Sequence, residues 1–309
     1  DPQCSYISKI LNKRLAENGG VDVTGRVFDP MMLKIMLEQL CMESKIKMLF
    51  HSFICDVVVE NEKIKYVVIA NKSGTMAVEG KMFIDCTGDG DVSVLAGAKF
   101  TKGNPDDGKN QPISLRYIVD GVDVPELGRF FIDEIKRTGV SSACSYDNGN
   151  IYGACCRLGD WTLGDLFDKA IAAGDLIPQD KWYWQMFRVT GRPSAIAFNN
   201  PEFFEDVDGT NVEHLTRTQL EGKQTILRQM KFYKKYFKGF ENAFIAEIAP
   251  MVGIRESRNI TTEYVLSAED LLSRKKFDDA FCQSNYPVDI HGKTLNFAKE
   301  IVAVDDGRP

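Results

Sequence analysis

Histidine is scarce in this chain: His51, His214 and His291 are the only three in 309 residues, which argues against a histidine-based metal centre. The eight cysteines (Cys4, Cys41, Cys55, Cys86, Cys144, Cys155, Cys156 and Cys282) include no C-x-x-C spacing. Most sit among apolar neighbours, as buried free thiols do, so no metal site is expected. Cys155-Cys156 is the one adjacent pair, and metal sites want spaced ligands. Scattered thiols in a chain this long point to a reducing compartment, and a cytoplasmic location is the expectation. No apolar run approaches the roughly 20 residues of a membrane helix, so no membrane partner is expected. A basic excess is also missing. The formal charge is −6, which disfavours nucleic acid or an anionic membrane as main partner. There is no internal repeat and no low-complexity tract.

Hydrophobic residues make up 44% of the chain, so a substantial core can form in one large or two ordinary domains. The most informative stretch is Lys81–Ala98, KMFIDCTGDGDVSVLAGA. The short apolar run Met82-Phe83-Ile84 ends in Asp85, and the glycine-rich turn Thr87-Gly88-Asp89-Gly90-Asp91 leads into helical spacing from Val92 to Ala98. This predicts a buried strand running into a helix N-terminus, the arrangement with which α/β folds hold nucleotide cofactors. The alternative is an ordinary strand–loop–helix connection. Asp89 and Asp91 would repel a bare phosphate; carboxylates here suit ribose or ribitol hydroxyls, or cap the helix.

Ser5–Asn18 reads as an amphipathic helix. A second follows Asp29-Pro30, with an N-cap carboxylate and proline at the first helical position. Ile54–Val59, Ile64–Ala70 and Thr75–Val78 are short apolar runs between polar turns, a β-meander. Lys102–Lys109 lacks periodicity and marks a boundary. Beyond it, Pro112–Val119 is a strand candidate, Val124–Arg137 and Leu163–Ala173 are helix candidates, and Trp182–Phe198 reads as a hairpin about Thr190-Gly191-Arg192-Pro193. Trp182, Tyr183, Trp184 and Phe187 either line a pocket or pack a sheet face. Leu215–Phe237 is a long basic amphipathic helix whose Lys-rich tail reads as a solvated face.

Phe244–Ile248 and Ile260–Leu266 are strand candidates, joined by Pro250-Met251-Val252-Gly253-Ile254-Arg255-Glu256-Ser257-Arg258. Arg255 and Arg258 bracket Glu256. Fixed guanidinium groups can hold a substrate carboxylate or stabilise developing negative charge; Glu256 can orient Arg255 or move a proton. An Arg–Glu network that pins two domains together is the competing reading. Ser267, with Glu269-Asp270 after it, is a capped helix start. His291 is the best-placed histidine for acid–base work, against a surface or packing role.

The FIDCTGDGD segment followed by a small-residue helix resembles the FAD-dependent oxidoreductase family, whose members carry a similar (I/V)DATGDGD segment within the superfamily of two-dinucleotide-binding-domain flavoproteins. The block Ala249–Ala280 resembles the family's G-(I/V)-R-E-(T/S)-R segment, and Asn285–Gly292 (NYPVDIHG) follows in the family's order. The resemblance runs over nearly the whole chain. It implies an α/β fold: a partial FAD-binding, Rossmann-like domain with a β-meander over residues 1–103, a mixed α/β cap-like substrate domain over 104–250, and a return segment over 251–309. It implies FAD as cofactor, a small-molecule substrate, and hydride transfer between a substrate carbon and flavin N5. Thr87, Gly88, Asp89, Gly90 and Asp91 are then the cofactor-binding candidates, and Arg255 and Glu256 the catalytic ones.

The superfamily's G-x-G-x-x-G, opening a helix after an N-terminal strand, is missing. So is a C-x₄-C pair, which counts against the disulfide-reductase branch. The chain starts at Asp1 without an initiator Met or signal-like segment and stops at Gly307-Arg308-Pro309. The expectation is an internal fragment of a longer flavoprotein, unable to bind FAD tightly alone. The rival is a non-enzymatic ligand-binding or assembly module that has lost its cofactor site. Oligomeric state is not set by the sequence.

Overall fold

The computed structural model describes residues 6–280, apart from 23, 24, 26, 141–143, 148, 149, 156–160 and 206. His291, Cys282 and the NYPVDIHG segment lie outside the described residues, as do Cys4 and Cys156.

The first part is built from local signals. Helix α1 (Tyr6–Glu17) buries Leu15, and α2 (Pro30–Glu43) starts at the expected place. There Asp29 accepts from the Met31 N–H at 2.8 Å and Pro30 needs no donor partner. Strands β1 (Phe53–Glu60), β2 (Lys63–Asn71) and β3 (Gly74–Glu79) form the expected antiparallel meander, ordered β1-β2-β3. Val57, Val67, Ile69 and Val92 form a small core between this sheet and helix α3 (Asp91–Leu95).

One expected element is not formed. Met82–Asp85 pairs with no other strand, and Met82 and Ile84 are 86% and 87% exposed. An apolar run becomes a buried strand only beside a neighbour that takes its backbone hydrogen bonds. Every strand pair among the described residues is antiparallel, so no such parallel neighbour stands there.

The larger core draws on residues 113–252. The Pro112–Val119 candidate divides into β5 (Ile113–Ser114) and β6 (Tyr117–Asp120), after the two-residue strand β4 (Phe100–Thr101). Helix α4 (Val124–Thr138), strands β7 (Cys144–Asp147) and β8 (Asn150–Cys155), and helix α5 (Gly164–Ala172) follow. Strands β9 (Gln185–Arg188) and β10 (Ile196–Phe198) are the arms of the expected hairpin, and β11 (Glu202–Phe203) pairs with β5. Helix α6 (Val212–Tyr236) begins earlier than its apolar pattern suggested. The Asn211 side chain caps it, accepting from the N–H groups of Glu213 and His214. Strand β12 (Phe244–Ile248) completes a six-stranded antiparallel sheet ordered β12-β6-β10-β9-β8-β7. Of the expected strand Ile260–Leu266 only its beginning forms: β13 (Asn259–Ile260) pairs with β4. Helix α7 (Ala268–Leu272) has the Ser267 capping box.

Helix α6 buries Thr218, Gly222, Ile226, Gln229, Met230 and Tyr233, a stripe at the three- and four-residue spacing of one helix face. At Gly222 an added Cβ would stand 2.7 Å from Leu115 Cδ2, so the helix passes close to the chain between β5 and β6. The aromatic group divides: Trp184 is fully buried and meets Phe198 and Phe237 edge-on in the core, whereas Trp182, which precedes β9, is exposed, as is Phe187, on the face of β9 opposite buried Met186. A polar chain runs through this core. Trp184 Nε1 donates to Tyr233 Oη at 2.9 Å, Tyr233 and Tyr117 share a hydroxyl contact at 3.1 Å, and Asn200 Nδ2 and Tyr117 Oη both donate to Gln229 Oε1.

Candidate functional site

The loop after Met82–Asp85 is organised by one carboxylate. Asp85 Oδ1 accepts from Thr87 N at 3.1 Å and Thr87 Oγ1 at 2.7 Å, while Oδ2 accepts from Ser93 N at 2.9 Å and Ser93 Oγ at 2.8 Å. Burial opposes its ionisation, but the bonds from Thr87 and Ser93 outweigh that and hold the carboxyl at about 2. Thr87 Oγ1 in turn accepts from Asp91 N at 2.8 Å. Thus Asp85 and Thr87 cap α3 from outside its first turn, and Asp89 and Asp91 are released from that task.

The released carboxylates meet the second sequence block. Ser257 Oγ donates to Asp89 Oδ1 at 2.5 Å, and Arg258 Nη1 donates to Asp91 Oδ1 at 2.7 Å and to the Asp89 carbonyl at 3.1 Å. Ser257 is buried and the Arg258 side chain is 18% exposed. The guanidinium also lies over the Phe100 ring at 5.7 Å. Gly90 sits at φ +66°, and a Cβ there would stand 2.6 Å from Ile260 Cδ1. The T-G-D-G-D loop and the segment that leads into β13 are therefore packed against each other.

Residues 252–258 form a strap between the two cores. Gly253 and Ser114 exchange backbone hydrogen bonds, at 2.7 Å and 3.3 Å. Arg255 Nε lies 3.8 Å from Glu202 Oε1, whose side chain is 1% exposed. Glu256 Oε2 accepts from Gln111 N and its Oε1 accepts from Asn259 Nδ2, both at 3.1 Å. Glu256 thus holds Gln111 and Asn259. Of the residues singled out in the sequence, 87–91 are brought together with the strap, but through Ser257 and Arg258. Arg255 faces Glu202 of β11, and Glu256 lies between Gln111 and Asn259 of β13. The sequence reading passed over Asp85 as an organiser and over Ser257; the signal for Asp85 was its spacing of two from Thr87 and eight from Ser93.

Among the described residues there is no group of three or more His, Cys, Asp and Glu side chains placed to hold a metal ion. No helix among them is long and apolar enough to cross a membrane.

A family model described as FAD dependent oxidoreductase matches residues 4–307, and the chain belongs to that family. FAD is the cofactor this membership assigns. No curated protein matches the chain. Among solved structures, a triple mutant of the flavin-dependent brominase Bmp2 is similar at 9% identity with a TM-score of 0.40, over 74% of this chain. The chain spans 45% of that protein's length.

The loop fits such a cofactor on its own geometry. Gly88 is exposed at φ +84°, with open space where a Cβ would stand. The N–H groups of Gly88, Asp89 and Gly90 donate to no acceptor among the described residues. Three backbone donors at a bare glycine turn are what an oxygen-rich ligand needs. Of the two carboxylates that would repel it, Asp91 is offset by the Arg258 guanidinium and Asp89 is held by the Ser257 hydroxyl.

Proposed function

We propose that the protein is a flavin oxidoreductase that moves a hydride between a small organic substrate and FAD, with residues 87–91 against the cofactor and Arg255 at the reacting end. The observation that supports this reading most is the loop itself: unclaimed N–H donors at Gly88, Asp89 and Gly90, with neighbouring carboxylates already bound by Ser257 and Arg258. Bound FAD would supply the two-electron chemistry, as hydride acceptor or donor.

The chain's own residues do the positioning. Asp85 fixes the loop through Thr87 and Ser93, and the loop's backbone donors bind cofactor oxygens. Arg258 offsets the charge of Asp91, which lowers the repulsion an anionic cofactor meets at the loop. Arg255, with 25% of its side chain exposed, offers a guanidinium for a substrate carboxylate or for negative charge that develops in the reaction. Glu256, with each of its carboxylate oxygens accepting a hydrogen bond, is a positioning residue for the strap.

The test is an FAD titration of the 309-residue chain, followed by quenching of flavin fluorescence, beside the variants Gly88→Val and Arg258→Met. Saturable binding that both variants weaken supports the site. Saturable binding that neither variant alters moves the cofactor elsewhere. For Arg255 the measurement is flavin reduction by substrate. An Arg255→Ala protein with unchanged reduction rate and unchanged substrate affinity would end its assignment.

A further inference from the structure

At the rim of the six-stranded sheet, away from the loop and the strap, stands a cation with no carboxylate partner among the described residues. Strand alternation places Arg188 in line with buried Met186 on β9, and Tyr152 in line with buried Ala154 on β8; Met186 and Ala154 are cross-strand partners. The two rim residues therefore share a face, and Arg188 Cζ lies 6.0 Å from the centre of the Tyr152 ring. Beside them opens a cavity of about 340 Å³, bounded by the turn 189–193 and by Asp22 and Val27 of the N-terminal segment. That volume suits a small organic molecule.

The walls are held in place. Thr190 Oγ1 donates to the Val27 carbonyl at 2.9 Å. Arg192 is fully engaged: Nε and Nη2 donate to the two Asp29 oxygens, and Nη1 donates to Glu247 Oε1. Arg188 differs. Among the described residues its guanidinium makes no ion pair and donates no hydrogen bond, although the residue is half-buried. A guanidinium taken partly out of water without an anion is costly unless a ligand completes it. Asp22, whose Oδ1 accepts from Val27 N, also lines the cavity. Val27, Val189 and the Tyr152 ring supply apolar surface for a short carbon body.

We infer that this cavity is a binding site for a small monocarboxylate, whose two oxygens the Arg188 fork receives while its apolar body lies between Tyr152 and Val27. The site shares no lining residue with residues 85–93 or 250–260, so it stands or falls independently of the flavin reading.

The experiment is isothermal titration of the 309-residue chain, without added FAD, using benzoate as probe and benzamide and inorganic phosphate as comparisons. The variants are Arg188→Gln and Arg188→Lys, with thermal unfolding followed first. Among the described residues the Arg188 guanidinium makes no ion pair and no hydrogen bond, only its contact with the Tyr152 ring, so neither variant should melt far below wild type. Millimolar or tighter benzoate binding is expected, weakened about tenfold or more in R188Q, the scale of a lost charged hydrogen bond, with benzamide and phosphate weaker than benzoate. R188K keeps the charge but loses the fork, and should fall between wild type and R188Q. No benzoate binding at millimolar concentration, equal affinity in R188Q, or benzamide binding as tightly as benzoate would each overturn the assignment. Phosphate binding more tightly than benzoate would do so too.

Discussion

Arg258 Nη1 donates to Asp91 Oδ1 at 2.7 Å across a sequence separation of 167 residues, and the same nitrogen reaches the Asp89 carbonyl. This contact joins the glycine-rich loop to the strap from the larger core. With Ser257 on Asp89 it gives both loop carboxylates a partner, and the guanidinium offsets one of their two negative charges.

Removing that guanidinium should loosen the loop more than it unfolds the protein. Arg258 is 18% and Asp91 43% exposed, so the pair contributes about 1 kcal/mol, the upper part of the range for solvent-accessible ion pairs. Arg258→Met is expected to lower Tm by about 2 °C. Hydrogen exchange should quicken at residues 87–91, and a variant with wild-type protection there would show that the contact does not hold the loop.

Asp85 makes stability pH-dependent in acid. Its folded carboxyl titrates at about 2, below the ordinary 3.8, so its contribution is complete above about 4 and fades as pH falls towards 2. The contribution at neutral pH is on the order of 2 kcal/mol. Asp85→Asn, which does not titrate, should be less stable than wild type by that order at pH 7, with the gap falling to about half by pH 3. Urea denaturation at both pH values reads it. A gap that stays constant would mean the carboxylate is not the organiser.

Gly90 is required twice over, for its positive φ and for its contact with Ile260. Gly90→Ala should cost about 1–2 kcal/mol from the backbone alone, plus the repacking of Ile260. In an Ile260→Ala background the same substitution should cost less, because only the backbone part remains. Equal costs in the two backgrounds would remove the steric part of the explanation.

In the larger core, Tyr233→Phe deletes the hydroxyl that accepts from Trp184 Nε1 and contacts Tyr117 Oη. It removes the acceptor that Tyr233 Oη gives the buried indole N–H, at a cost of about 1–3 kcal/mol. Chemical denaturation monitored by tryptophan fluorescence measures it; a change below about 0.5 kcal/mol, the scatter of neutral surface substitutions, would contradict the network.

Much of the local structure was legible because its causes are near in sequence. Asp29-Pro30 announced α2, the polar turns between Ile54 and Val78 announced the meander, and Ser267 with Asp270 announced α7. Thr190-Gly191-Arg192-Pro193 marked the connection of the β9–β10 hairpin. Caps, turns and periodicity act within a few residues, so a linear reading sees them. The loop 87–91 and the block 250–258 were both recognisable as motifs for the same reason.

What decided the rest lies far along the chain. The strand expected at Met82–Asp85 has the right residues but no neighbour to take its hydrogen bonds, and Ile84 stands in solvent. Arg255 and Glu256 drew attention by charge and spacing, yet Ser257 and Arg258 make the contact with the loop, because the path of β12 and the Ser114–Gly253 bridge set which side of the strap faces it. Residue type determined which chemistry was on offer. Only the tertiary structure decided which groups meet, since a hydrogen bond acts over about 3 Å and more than 160 residues of chain separate its partners here.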